Sequence, residues 1–517
     1  MLTRLRVRGF KNLVDVDVRF GPFTCIAGPN GVGKSNLFDA IHFLSLLAER
    51  TLLDAALEVR GARTAGVRSL FHRTGVQFAE EMSFEAEMIV PGMGRDDLGQ
   101  EAGATSTFLR YALTLAYRSD PGSGTLGGLE VRWEQLQHIP KGEAHKHVLF
   151  EHKVRSWRDS AVLSRRWTPF YISTAGEGEA RVVRVHQDGG GGLPRSYAAG
   201  TLPRTVLSGT NAAESPTALL ARREMQSWRI LQLEPSALRR PDPFTAPSVM
   251  GADGSHLAVA LFRLANHSGN GPAVSRPVSG SKRRPLHQRP LEGQPEARQP
   301  EDVYASVANR LAELYEDVRQ VSIERDERRE LLTVQVQTRD GTTFPSPSLS
   351  DGSLRFLALA VLEADPEARW VVCLEEPENG VHPERLPAML RLLQDIATDV
   401  EVRLGADNPL RQVIVNSHSP AVVQLVPEDS LLVAKALEIV GRRGQRSTGV
   451  SFRPLPNTWR VGAEGAPPPT SMGDLLAYLN PRSLGHLRMF EREGGRPRMV
   501  AEREDVQQLL PFAGGED

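Results

Sequence analysis

Gly28-Pro29-Asn30-Gly31-Val32-Gly33-Lys34-Ser35 matches the spacing G-x-x-x-x-G-K-[ST], and Asn36 follows it. Glycines let such a loop wrap so that backbone N–H groups point inward at phosphate oxygens. A helix starting at the loop adds unsatisfied donors and the positive end of its dipole. Lys34 would reach the β- and γ-phosphates of a nucleotide, and the Ser35 hydroxyl would ligate Mg²⁺. A second chemical element comes more than 300 residues later, where the apolar run Trp370-Val371-Val372-Cys373-Leu374 delivers Glu375-Glu376. Two carboxylates beside a triphosphate repel it unless a divalent ion bridges them. Glu375 can hold that ion or its water shell, and Glu376 can orient or deprotonate an attacking water.

Two further polar clusters follow the same plan. Gln412-Val413-Ile414-Val415 leads into Asn416-Ser417-His418-Ser419-Pro420, with the proline suited to the first turn of a helix. His418 can hydrogen-bond a γ-phosphate, or it can serve as a cap or a satisfied structural residue. Leu349-Ser350-Asp351-Gly352-Ser353-Leu354-Arg355 opens a helical pattern through Leu357, Leu359, Val361 and Leu362. Small residues and free backbone donors at a helix start form an anion site, though Ser350 and Asp351 also fit ordinary capping.

These residues need elements to hold them. Leu2–Val7 and Val14–Val18 alternate at period two, Phe23–Ala27 is a short apolar strand, and Leu37, Ala40, Ile41, Leu44 and Leu47 mark one helix face. Residues 80–186 carry short strand patterns at 83–89, 111–117, 129–133 and 181–186. Helical patterns lie at 216–231, 255–265 and 303–318, with a hairpin from Val321 to Val336. The stretch 268–300 is rich in Gly, Pro, Ser, Arg and Gln, which predicts a linker-like insertion. Its Arg276, Lys282, Arg283, Arg284, Arg289 and Arg298 suit either a nucleic-acid arm or a solvated linker. Beyond about Glu438 the chain reads as turn-rich.

The order of phosphate loop, Ser-Asp-Gly-Ser helix, Glu-Glu strand and Ser-His-Ser-Pro resembles an ABC-type ATPase head. More narrowly, Leu374-Glu375-Glu376-Pro377-Glu378-Asn379-Gly380-Val381-His382-Pro383 looks like the RecF/SMC-like branch and its bacterial AAA-family ATPases without long coiled coils. Leu231–Pro235 with Arg239, and Gly251–Ala258, also resemble the middle region of that family. The resemblance implies an α/β P-loop NTPase fold: an ABC-type head of mixed sheet and flanking helices, split by a long α+β insertion. It divides the chain into an N-terminal lobe at 1–195, an inserted region at 196–340, a C-terminal lobe at 341–435 and an extension at 436–517.

In such families two heads sandwich two ATP molecules. By position, the resemblance assigns ATP contacts to Gly28 through Asn36, and assigns Ser350, Gly352 and Ser353 to the nucleotide held by the other head. It gives Mg²⁺ to Ser35 and Glu375, the catalytic carboxylate to Glu376 and the switch histidine to His418. Asn379 and Gly380 fall where the head-to-head D-loop runs, and Lys11 and Asn12 where the nucleotide base is flanked. Gln77 is the positional candidate for the glutamine loop. Most heads carry Asp where this chain has Glu375, and the extra methylene implies a water-mediated ion contact or slower turnover.

Composition bounds the partners. Sixty-two Lys+Arg against 63 Asp+Glu give a formal charge of −1, which argues against coating nucleic acid by bulk charge and leaves room for a local basic surface. The start of the chain lacks the apolar run of a secretory signal, and no stretch suggests a membrane span. Two cysteines are too few for a disulfide framework. The expectation is therefore a cytoplasmic, Mg²⁺-dependent ATPase that dimerises on ATP. The resemblance extends this to DNA repair or anti-phage defence, with DNA and a separately encoded nuclease or toxin as partners. Alternatives are a self-contained nuclease-ATPase and an ABC transporter motor. Against the nuclease, residues 436–517 carry no Asp-x-Asp pair.

Overall fold

The computed structural model describes residues 1–119, 127–165, 169–188, 192–266, 300–365, 370–440 and 445–479. The chain forms two compact units, one drawn from Met1–Leu231, Pro366–Asn379 and Met389–Asp517, the other from Gln232–Asp365 and Gly380–Ala388. These units group the chain otherwise than the four sequence spans do. Residues 196–231 fold with the phosphate loop, and the helix after Ser350 folds with the inserted region.

The first unit is built on two sheets. A six-stranded sheet runs in the order Arg229–Leu231, Val371–Glu375, Gln412–Ser417, Phe23–Ala27, Leu431–Val440, Arg446–Pro454. All neighbours are parallel except the last pair. Every residue of Phe23–Ala27 and of Gln412–Ser417 is buried, as strands covered on both faces require. Register sets Glu375 beside Asn416 and Ser417 beside Ala27, so the carboxylates, the histidine segment and the phosphate loop leave the sheet at the same edge. In open α/β sheets that edge, at the carboxyl ends of the strands, is where ligands bind.

The helix Lys34–Leu47 follows the loop and buries Leu37, Phe38, Ile41, Phe43, Leu44 and Leu47 among others. Its Phe43 ring meets Phe10 and Phe84, which belong to an eight-stranded antiparallel sheet. That sheet runs Arg195–Ala198, Val182–Val185, Phe170–Ala175, Gly128–His138, Phe108–Arg118, Glu81–Ile89, Leu2–Phe10, Leu13–Arg19. One apolar core joins the helix to both sheets, which fixes the loop against a rigid base.

Two sequence expectations are corrected here. The helix from Pro216 stops at Gln226, and Arg229–Leu231 is an edge strand parallel to Val372–Leu374. Three residues, Arg-Ile-Leu, fit either periodicity, and pairing with the Glu-Glu strand decides between them. The region past Glu438 continues the strand Leu431–Val440, turns and returns as Arg446–Pro454, and a helix follows at Met472–Leu479. Residues 480–517 of the expected extension lie outside the described residues.

A buried acid braces the far end of the phosphate-loop helix. Glu134 accepts the backbone N–H groups of Val206 and Leu207, each at 2.8 Å, and the Tyr111 hydroxyl at 3.1 Å. The same turn returns through the Thr205 hydroxyl to the Leu47 carbonyl at 2.9 Å. Burial pushes the Glu134 carboxyl up to about 7, even though those three donors pull it down. Its folded value thus lies above its ordinary value of 4.5, so folding takes up a proton between the two. Its contribution to stability is fully present below pH 4.5 and is lost as pH rises through 7. The expected loss is on the order of 3 kcal/mol. Urea unfolding across that range should show the decline in the parent chain and a flatter profile in Glu134→Gln.

The second unit pairs Asp242–Pro243, Leu331–Thr338 and Val318–Asp326 in one sheet, with Thr343–Pro345 added beside Leu331–Thr338. The helices Leu257–Asn266, Pro300–Leu314 and Asp351–Ala364 pack together with it. Ion pairs Arg310–Glu363 and Arg263–Asp365 tie these helices to one another. Of the expected insertion at 268–300, all but Pro300 lies outside the described residues, as do its basic residues.

Candidate functional site

Within the first unit, the chain leaves Ala27 into Gly28 and turns through Gly33 into the helix. A Cβ on Gly28 would stand 2.8 Å from the Ala434 carbonyl oxygen, so the loop lies against the neighbouring strand only because residue 28 has no side chain. Gly33 adopts φ +113°, and a Cβ there would collide with the Asn12 amide. Asn12 donates to the Val32 carbonyl at 3.0 Å and accepts from Asn36 at 2.8 Å. It therefore braces the loop from below, while neighbouring Lys11 pairs with Asp39 at 2.7 Å.

Lys34 is buried, and its ammonium donates to the carbonyls of Gly28 at 2.6 Å and Pro29 at 3.1 Å. Burial lowers its pKa, against the pull of Glu376, Glu378 and Glu375. Its charge is thus held by weak neutral acceptors inside the loop, and a phosphate would offer it a charged one.

Glu376 sits in a left-handed conformation, φ +47°, which costs a non-glycine residue on the order of 1 kcal/mol. Its N–H is held by the Asn416 carbonyl at 3.0 Å and the Asn416 side-chain oxygen at 3.2 Å. That turn aims its carboxylate at two partners: His418 Nδ1 at 2.7 Å and the Asn379 amide at 2.9 Å. Burial alone would raise its pKa, but Asn379, His418 and Lys34 together draw it below the usual carboxylate range. An ionised carboxylate of this kind, fixed by two neighbours and still part-exposed, can accept a proton from water.

Glu375 meets a cation that the sequence reading missed. The Arg60 guanidinium lies 3.3 Å from Glu375, 3.0 Å from Asp39 and 3.3 Å from the Ser35 carbonyl. Burial disfavours its charge, yet Asp39 and Glu375 outweigh that and raise its pKa. Arg60 belongs to no motif; its sequence signal is position, two residues beyond a short helix that follows the phosphate-loop helix. The Ser35 hydroxyl and the Glu375 carboxylate are oxygen donors of the type a hard divalent ion takes, and a guanidinium already drawn to both residues marks the spot as cation-seeking.

The first unit also contains a cavity of about 370 Å³ on the flank of the loop. Asn30, Val32, Lys435, Thr470, Asp474 and Tyr478 are among its lining residues, and Lys435 pairs with Asp474 at 2.9 Å. The region past Glu438 therefore returns to the loop.

Ser350, Gly352 and Ser353 lie in the second unit. The Ser350 hydroxyl accepts the Ser353 N–H at 3.2 Å and so caps the helix Asp351–Ala364. A Cβ on Gly352 would stand 2.5 Å from the Gly380 carbonyl oxygen, so these two glycines allow the chains to touch. Arg239 bonds Asp351 and, at 3.2 Å, the Leu349 carbonyl, while Arg355 donates to the Leu233 carbonyl at 3.1 Å. The 231–239 segment that resembles the family's middle region thus supports the Ser-Asp-Gly-Ser turn. Gln77, the glutamine-loop candidate, is exposed on a two-residue strand paired with Arg73–Thr74.

Comparison with known proteins agrees at both ends of the chain. Residues 1–87 match the family described as RecF/RecN/SMC N terminal domain, and residues 234–424 match "AAA domain, putative AbiEii toxin, Type IV TA system". Over these two spans the chain is similar to RecF/SMC-like ABC-type ATPases. The matched residues include the phosphate loop in one span and the Ser-Asp-Gly-Ser, Glu-Glu and His418 segments in the other, so the similarity rests on the same words as the geometry.

Among curated relatives of this RecF/SMC-like chain, the DNA replication and repair protein RecF of Porphyromonas gingivalis is 36% identical over 73 residues, 14% of this chain and 20% of that protein. RecF of Clavibacter sepedonicus is 32% identical over 113 residues, covering 22% and 27%. The OLD nuclease of Thermus scotoductus is 51% identical over 44 residues, 8% of each. The chain thus spans about a quarter or less of these relatives. A solved SMC head bound to the C-winged helix domain of ScpA aligns over 88% of this chain and 98% of its own, at 12% identity and a TM-score of 0.42. No described helix is long and apolar enough to cross a membrane.

Proposed function

We propose that the chain is an ATP-driven switch, in which ATP closes a dimer of heads and hydrolysis opens it. The observation that carries this reading is the Glu376 carboxylate, held at 2.7 Å by His418 and 2.9 Å by Asn379 at the same sheet edge as the phosphate loop. Backbone donors of residues 28–36 and the Lys34 ammonium receive the β- and γ-phosphates. Ser35 and Glu375 hold Mg²⁺, which compensates phosphate charge when bound. Glu376 takes a proton as the water oxygen attacks the γ-phosphorus, and the bond to the ADP oxygen breaks. His418 orients Glu376 and reads the γ-phosphate. Ser350, Gly352 and Ser353 complete the site of a second copy, so that binding energy exists only in the closed pair.

Arg60 joins this scheme as a local cation that must release Glu375 when the ion arrives. The name of the RecF relatives, DNA replication and repair protein, supports work on DNA, and we extend this to repair or anti-phage defence with a separate effector. The strands Leu431–Val440 and Arg446–Pro454 complete the nucleotide sheet, which favours an ATPase head over an appended nuclease. The full chain is expected to release phosphate from ATP in the presence of Mg²⁺ and to stop when EDTA is added. Release that persists in EDTA, or none above a blank, contradicts the scheme. Filter binding to duplex DNA in a salt series, with and without ATP, tests the partner.

A further inference from the structure

Glu378 is the carboxylate of the Glu375-Glu376-Pro377-Glu378 run that the scheme leaves without a task. One of its oxygens, Oε1, accepts the hydroxyl hydrogen of Ser417. Ser417 is fully buried at the end of its strand, and its hydroxyl oxygen in turn accepts the Ser419 N–H at 3.0 Å. One hydroxyl therefore closes the turn around His418 and ties that turn to Glu378. His418 stands between the two serines, with its ring on Glu376.

The other oxygen, Oε2, is buried and has no hydrogen-bond partner. Burial pushes the Glu378 carboxyl above its ordinary range, partly offset by the Ser417 hydroxyl. A buried, half-satisfied carboxyl destabilises the fold relative to an apolar side chain of similar size, so stability does not account for it. Lys34 and Glu376 both feel its charge, which places it in the same electrostatic cluster as the loop and the proposed base.

We propose that Glu378 is a positioning residue: through Ser417 it clamps the switch turn, so that His418 stays on Glu376. It touches neither phosphate nor ion and acts only through the turn. The proposal rests on the reading that Glu376 and His418 act at the γ-phosphate. Three side-chain links then stitch the two segments together: Glu376 to Asn416 and Glu378 to Ser417, both part-buried, and the more exposed Glu376 to His418.

The test uses the full chain with Glu378→Ala, Ser417→Ala, the double variant and Glu378→Gln, which keeps an oxygen to accept the Ser417 hydroxyl. ATP affinity is expected to stay within about twofold in all four. Phosphate release should fall about tenfold in each alanine variant and no further in the double, because both remove the same link. Glu378→Gln should stay within about threefold of the parent, which also controls for folding. In histidine-labelled protein without nucleotide, the His418 Nδ1 resonance should move in both alanine variants toward its position in Glu376→Ala. Losses that multiply in the double variant, or an unmoved His418 resonance, overturn the proposal. If the parent chain releases no phosphate, the functional reading fails, and the resonance alone still decides the clamp.

Discussion

Glu376→Gln is expected to lower phosphate release at least about 100-fold while leaving ATP affinity within a few fold, since a positioned general base contributes about 10²–10⁴. The amide is isosteric: its oxygen can still accept from Asn379, which holds one carboxylate oxygen at 2.9 Å, while its NH2 can donate to the unprotonated ring nitrogen of His418, which meets the other at 2.7 Å. What it loses is the ability to take a proton. The left-handed turn at residue 376 is set by Asn416 through the backbone, so the substitution leaves that geometry in place. Quenched-flow phosphate release beside an equilibrium ATP titration separates the two effects. A loss of affinity that matches the loss of rate would assign Glu376 to binding rather than chemistry.

Lys34→Ala is expected to weaken ATP binding by about 100-fold or more. A charge-assisted hydrogen bond contributes about 1.5–3 kcal/mol, and Lys34 is placed to make one to each of two phosphates. The parent structure shows why the fold should survive the change. Among the described residues the ammonium donates to the neutral Gly28 and Pro29 carbonyls, and burial already disfavours its charge. Titration with ATP followed by intrinsic or nucleotide fluorescence measures the effect, and an unchanged thermal transition shows that the loop's supports at Asn12 and Gly33 remain.

The parts of this site that could be read in the sequence are those whose chemistry is local. The phosphate loop is eight consecutive residues, and its neighbours, a buried strand and a buried helix, announce themselves by period and polarity. Glu375, Glu376 and His418 could be read because each ends an apolar run at the edge where strand ends gather. Arg60 could not be read, because a lone arginine acquires its meaning only from Asp39 and Glu375, the latter more than 300 residues away. The resemblance sets Asn12 where a nucleotide base is flanked, and its bracing contacts with Val32 and Asn36 could be seen only in the fold. The grouping of Gly380–Ala388 with the second unit was equally hidden, since it depends on Gly380 lying against Gly352 and Arg385 on the Tyr315 ring. Arg229–Leu231 shows the limit of periodicity: three residues carry too little pattern to choose between helix and strand until a partner strand is present.

The central claim is that ATP joins two heads. Size-exclusion chromatography of Glu376→Gln at micromolar concentration, with ATP and Mg²⁺ and again without nucleotide, tests it most directly. The account predicts a monomer without nucleotide and a dimer with ATP, and predicts that Ser350→Arg in the same background, which leaves the phosphate loop of each head intact, removes the dimer. A Glu376→Gln chain that binds ATP and still elutes as a monomer would contradict it.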